Sequence, residues 1–285
     1  MGDIHVSRTF IKHIISTNYQ ETYIYFHDNP PKLLQDINFL QSVKSNDKEV
    51  KDKRGFYKNE TTIYLNTWYN AHDSEFIKPH GITIHTLYHI FKKSLKNGLD
   101  QDLNHDPLYF LPEINFESFE INDIKKFVLN DKRKKVLISN NIVESSQCKN
   151  FSFYPIVEKL AEQFKDVLFI VTNKMKKEPL YTKDNITHFY KIANINDNDL
   201  NEIGYLSTFC DVIVGRFSGP QSFSYVKENL LNPSKTFITI TDGNKYFKDT
   251  SFGVTDLVPK HERAKFIHYT GIDENEIVKV IGREL

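Results

Sequence analysis

The sequence predicts an α/β protein of two Rossmann-like lobes: a small N-terminal one (residues 1–110) and a C-terminal one (residues 123–285) built on a parallel sheet with helices on both faces. Three observations carry this. In the second part, short β-branched runs such as Val136-Leu137-Ile138 and Val212-Ile213-Val214 alternate with amphipathic stretches of about ten residues, the rhythm of βαβ units. Between Asp100 and Asn122 the periodicity lapses and Pro107 and Pro112 interrupt the chain, as an interdomain connection would. Finally, 285 residues with 22 Phe and 15 Tyr can fill two cores.

Taken in order, Val6 to Ser16 reads as a helix and Tyr23 to Phe26 as a strand stopped by Asn29-Pro30-Pro31. Leu33 to Val43 reads as a helical piece, and the charged stretch Ser45 to Asn59 as a solvated loop. Thr61 to Asn66 is a second strand that delivers a polar loop, Trp68 to Pro79. The helix starting at Thr83 places Ile84, Leu87, Tyr88, Phe91 and Leu95 on one face. In the second lobe, strands are expected at Lys135–Ser139, Val167–Thr172, Ile186–Tyr190, Val212–Val214 and, last, Thr236–Thr241. Helices are expected at Phe153–Phe164, Asp199–Phe209, Pro220–Asn229 and Asp273–Leu285.

Lys plus Arg and Asp plus Glu balance at 37 each, so no net field draws a polyanion and nucleic acid is not an expected partner. Cys148 and Cys210 are the only cysteines and belong to no CxxC or His-rich cluster. A disulfide framework and a zinc site are therefore not indicated, no metal is expected, and a reducing compartment fits. Met1 to His5 lacks the apolar core of a signal peptide, and runs such as Val167 to Val171 are too short for a membrane span, so the expected location is cytoplasmic.

In an open parallel sheet, ligands lie beyond the carboxyl ends of the strands, which makes the residues after each strand the candidates. These are Ser139, Asn140 and Asn141; Thr172, Asn173 and Lys174; Lys191; and Arg216, Ser218 and Gly219, with Gln221 just beyond. Ser218 can cap the helix that Pro220 opens, directing free amides and the positive dipole end towards an anion, with Arg216 beside them. Amides and hydroxyls suit a sugar or ribose, and Lys174 and Arg216 suit a diphosphate. Each group alone serves equally well as a helix cap or a solvated side chain; their convergence on one edge is the argument.

The pattern Leu206-Ser207, Cys210-Asp211-Val212-Ile213-Val214-Gly215-Arg216, Ser218-Gly219-Pro220 resembles the donor-binding half of GT-B glycosyltransferases, the heptosyltransferase-like and fucosyltransferase-like groups above all. Gly2-Asp3-Ile4-His5 followed by Ser7-Arg8 is similar to the glycine-aspartate loop of the acceptor half of heptosyltransferases, whose Asp is the base. That loop normally follows a strand, and here only Met1 precedes Gly2, so the first strand is expected to be missing or replaced.

The resemblance implies a transferase that moves a hexosyl, pentosyl or deoxyhexosyl group from a nucleotide sugar to an oligosaccharide or glycoconjugate hydroxyl, inverting and without metal or other cofactor. Asn140, Asn141, Lys174, Arg216, Ser218, Gly219 and Gln221 would then bind the donor. By the family motif the base would be Asp3; Asp73, in the loop after the Ile63 strand that also holds Asn70 and His72, is the rival read from the residues themselves, while His5, Arg8 and His80 would orient acceptor or phosphates. Asp197-Asn198-Asp199 spells a metal-type triplet but reads as a helix N-terminus. The rivals are a sugar-nucleotide epimerase or hydrolase of the same fold, and a non-catalytic partner in glycan synthesis. No GxGxxG opens a βαβ unit, which argues against a dehydrogenase.

Overall fold

The computed structural model describes residues 2–18, 22–26, 31–37, 40–43, 55–67, 81–143, 148–173, 179, 181–193, 200–217, 219–242 and 250–285. The chain divides into two units, Met1–Ser118 with Tyr246–Leu257 and Phe119–Lys245 with Val258–Leu285. Among the described residues no helix is long and apolar enough to cross a membrane.

The first unit opens with helix α1 (Gly2–Thr17), followed by strand β1 (Thr22–Phe26). β1 lies parallel to β2 (Leu40–Val43) on one side and to β4 (Thr62–Leu65) on the other, and β3 (Phe56–Lys58) pairs antiparallel with β4. Side chains alternate across a strand, so Tyr23, Tyr25, Ile63 and Leu65 fall on one buried face. Helix α2 (Ile84–Leu99) starts where the Thr83 hydroxyl accepts from the Thr86 N–H, and it buries Leu87, Ile90, Phe91 and Leu95. The Phe91 ring lies 4.5 Å from that of Phe10 in α1 and 5.5 Å from that of Phe56 in β3, joining both helices to the sheet. Gly98 lies against the Phe56 carbonyl, where any Cβ would collide.

The second unit begins with helix α3 (Asn122–Asn130) and strand β5 (Lys134–Ser139). Helix α4 (Tyr154–Gln163), strands β6 (Val167–Val171) and β7 (Ile186–His188), and helices α5 (Phe189–Ala193) and α6 (Leu200–Ser207) follow. Strand β8 (Val212–Arg216), the short helices α7 (Gly219–Ser222) and α8 (Lys227–Leu230), and strand β9 (Thr236–Thr241) come next. After helix α9 (Val254–Leu257), which belongs to the first unit, the chain adds strand β10 (Lys265–Thr270) and helix α10 (Glu274–Gly282).

All six strands are parallel, in the order β10-β9-β8-β5-β6-β7. That is the doubly wound order in which sequence progress reverses between β5 and β8. Val136, Ile138, Phe169, Val212, Val214, Ile238 and Ile240 pack with Val157 and Leu160 of α4 and Ile277 and Ile281 of α10. The alternating residues Leu137, Ile170, Ile213 and Phe237 are just as buried, so the opposite face is covered too.

Several elements depart from the expected ones. Leu33–Val43 is a 3₁₀ turn (Pro31–Leu34) followed by β2, because residues 40–43 pair in register with β1, and such long-range pairing overrides local helical spacing. α3 starts at the last residue of the expected irregular connection and runs on through a stretch for which no element is expected. Ile186–Tyr190 stops as a strand at His188, and the expected Pro220–Asn229 helix is two pieces of four residues each. Thr236–Thr241 is a strand but not the last, since β10 pairs along its full length.

Candidate functional site

The loops after β5, β6 and β8 meet at the carboxyl edge of the second sheet, where the strand order reverses. Asn140 is 2% exposed, and its amide grips the end of β6: the side-chain Oδ1 accepts from the Asn173 N–H at 2.8 Å and Nδ2 donates to the Asn173 carbonyl at 2.9 Å. The Thr172 hydroxyl, 2.8 Å from Asn141 Oδ1, donates to it and so engages the oxygen of the Asn141 amide. Asn141 is half-buried, and its Nδ2 makes no hydrogen bond among the described residues.

Arg216 closes the β8 side. The sequence places it against a phosphate, but here it is 1% exposed and its guanidinium donates to the carbonyls of Asn140 (2.6 Å), Asn141 (2.7 Å) and Phe151. The guanidinium carbon sits 5.1 Å from the ring centres of both Phe151 and Phe153. A buried cation needs partners, and main-chain carbonyls at this edge supply them. Gln221 is also inside, 1% exposed, with Nε2 donating to Thr239 Oγ1 at 3.0 Å and Oε1 meeting no donor among the described residues. Gly219 opens α7, which at four residues has little dipole to offer an anion. Lys191 lies in the last turn of α5.

The candidates of the first unit are placed differently from expectation. Gly2-Asp3-Ile4-His5 forms the first turn of α1, not a loop after a strand; the Asp3 carboxylate is not among the described groups. His5 is fully buried. Arg8 is buried too: it is held 2.7 Å from Asp36 and donates to the Leu33 carbonyl at 2.9 Å, so it is part of the interior and not a surface group that could orient a ligand. Asp73 with Asn70 and His72, His80, Lys174, Ser218 and the triplet 197–199 lie outside the described residues. Burial pushes the Cys210 thiol up to about 12, and the Cys148 thiol is raised for the same reason with Asp242 adding to it. Among the described residues, no group of three or more His, Cys, Asp or Glu could hold a metal ion.

Sequence reasoning missed Asn150, Phe151 and Asp242. Asn150 brackets Val143, accepting from its N–H at 2.8 Å and donating to its carbonyl at 2.9 Å, and Asp242 accepts from the Lys149 N–H at 3.1 Å. The first pair closes the stretch after β5 on itself, and the second ties it to the end of β9. An Asn shortly before a helix was the only available signal, and capping explains such a residue equally well.

No protein-family model matches the sequence, and no curated protein sequence matches it. Solved structures do resemble the fold. The glycosyl transferase family 9 protein from Veillonella parvula is 12% identical, with a TM-score of 0.54 over 99% of this chain and 93% of that one. E. coli ADP-heptose lps heptosyltransferase II is 11% identical, with a TM-score of 0.53 over 99% and 95%. The glycotransferase of kitacinnamycin matches 54% of this chain, which spans 35% of that protein, at a TM-score of 0.34. At such identities the two full-length matches establish a shared α/β fold, of the kind the sequence resemblance implies.

Proposed function

We propose that the chain is a glycosyltransferase that holds a nucleotide-diphosphate sugar at the carboxyl edge of the second unit's sheet and transfers its sugar to a hydroxyl of an oligosaccharide or glycoconjugate. The observation that carries this reading is the reversal of strand order between β5 and β8, where Asn141 Nδ2 has no partner among the described residues. Ligands of doubly wound sheets settle at such a reversal. Support by analogy comes from the full-length likeness in fold to two glycosyltransferases.

In this reading the acceptor hydroxyl attacks the anomeric carbon as the bond to the diphosphate breaks, in one inverting displacement. The hydroxyl proton passes to an ionised carboxylate, Asp3 or Asp73. The departing diphosphate is stabilised by Asn141 Nδ2, by the main-chain N–H groups around Ser218 and Gly219, and by Lys174, without a metal.

A thermal-shift screen of UDP-, GDP-, ADP-, CMP- and dTDP-sugars tests the reading. A ligand at a hundred times its dissociation constant adds about 2.7 kcal/mol to stability. One class should raise the melting temperature, and proton NMR should then show an inverted product anomer, formed in the presence of EDTA. Asp3→Asn and Asp73→Asn identify the base by which of them abolishes transfer while donor binding persists. No shift with any donor overturns the reading, and turnover without acceptor replaces it with a hydrolase or epimerase.

A further inference from the structure

Among the described residues Arg216 is the most deeply enclosed cation of the second unit, and three of its hydrogen bonds fall on one stretch of chain. The Asn140 and Asn141 carbonyls begin that stretch and the Phe151 carbonyl ends it, so a single guanidinium joins both ends of the segment that follows β5. Three further contacts hold the same segment: the Asn150–Val143 pair, the Lys149 N–H on Asp242, and the Cys148 thiol near the Ile240 carbonyl at 3.6 Å. None of them reaches Asn141. Among the described residues, only Arg216 and Thr172 hydrogen-bond Asn141, whose Nδ2 has no partner there.

We propose that Arg216 is a positioning residue: by clamping the carbonyls of Asn140, Asn141 and Phe151 from beneath, it sets the ligand-facing edge of the site without touching the ligand. This rests on the donor-site reading above. The planar guanidinium suits the task because its fork of rigid donors reaches several carbonyls at once, whereas a lysine ammonium on a flexible stem presents donors around one point. The Phe151 and Phe153 rings hold the fork in place from the side. A cation turned inward in this way also explains why the basic residue that ends β8 is hidden from solvent.

The test compares wild type, Arg216→Lys and Arg216→Met, using hydrogen–deuterium exchange and calorimetric titration with UDP, GDP and ADP. Met keeps an unbranched apolar stem beside the two rings and removes the donors; Lys keeps charge and stem. Amides of residues 140–153 should exchange about tenfold faster or more in Arg216→Met, the scale of one lost hydrogen bond to a charged group. β6 and β9 should stay protected. Arg216→Lys should fall between the two and partly restore protection, and it provides the measurement if Arg216→Met does not fold.

The nucleoside diphosphate that wild type binds should lose affinity in the same order as the loop loses protection. Unchanged exchange at 140–153 overturns the clamp. Faster exchange with undiminished affinity overturns its link to the ligand, and so does lost affinity with the loop still protected, which would mean direct contact. If wild type binds none of the three, nor dTDP titrated in the same way, the donor-site reading fails and the ligand-facing clause with it, while the exchange data still decide the clamp.

Discussion

Arg8 and Asp36 meet at 2.7 Å with neither side chain exposed, and the pair is not symmetric. Asp36 also receives Lys12 at 2.7 Å and the Asn115 N–H at 3.1 Å, so it keeps partners if Arg8 goes. Arg8 donates to the Leu33 carbonyl as well, and burial pulls its pKa down against the attraction of Asp36. Asp36→Asn removes the carboxylate that Arg8 and Lys12 share and should cost about 3–5 kcal/mol, the usual loss when one partner of a buried ion pair is taken away. Arg8→Met should cost less, because an apolar side chain of similar length fills the space. Urea unfolding of both variants measures the difference, and a larger loss from Arg8→Met would contradict this account. Arg8 and Arg216 share one lesson. A sequence shows a cation beside a promising turn, but whether carbonyls or a carboxylate fold back onto it depends on residues far away in the chain.

Among the elements, β8 shows how close packing shapes the site. A Cβ added at Gly215 would lie 3.1 Å from both Gln221 Cγ and Ser139 Cβ, so α7 and β5 approach this strand as nearly as atoms allow. Gly215→Ala should destabilise the protein by about 1–3 kcal/mol, the usual cost of overpacking. It should also loosen the Gln221–Thr239 hydrogen bond. Thermal or urea unfolding reads the first effect, and a variant as stable as wild type would show that the strand and helix can part without cost. The central strands β5, β6, β8 and β9 were legible because they are buried on both faces and read as unbroken apolar runs. β10 was not: as an edge strand it alternates Lys265, Phe266, Ile267, His268, Tyr269 and Thr270 with half its residues exposed. α3 escaped notice because only Ile124 is fully buried and no side chain caps its start. At the site, Asn140, Asn141 and Thr172 could be found because the parallel sheet dictates which edge binds. The roles of Asn150, Phe151 and Asp242 could not, since they arise from chain segments that meet only after folding.

Over the molecule as a whole, alternating strands and helices made the second unit predictable, but nothing local announced that residues 246–257 return to the first unit. The reason for that return is visible at the start of α2. The Ile84 N–H, one of the donors a helix leaves without an internal partner, is met by the Phe252 carbonyl at 3.0 Å. Phe252 (φ 58) and Gly253 (φ 79) form a left-handed turn there, and a Cβ at Gly253 would come within 2.9 Å of Thr83 Cβ. Ile84 itself is fully buried. A fragment ending at Ser118 loses the burial of Phe252 and Val254 and leaves the Ile84 N–H to water, so it should be less stable by about 1–3 kcal/mol, the scale of one buried apolar side chain. Tethering residues 250–257 to that fragment through a long Gly/Ser linker should restore most of the loss, because a flexible tether raises the effective concentration without imposing a geometry. Circular dichroism melting of the two fragments decides the matter. Equal melting temperatures would mean that the first unit is complete without the returning segment, and that the turn at Phe252 and Gly253 rests on α2 without supporting it.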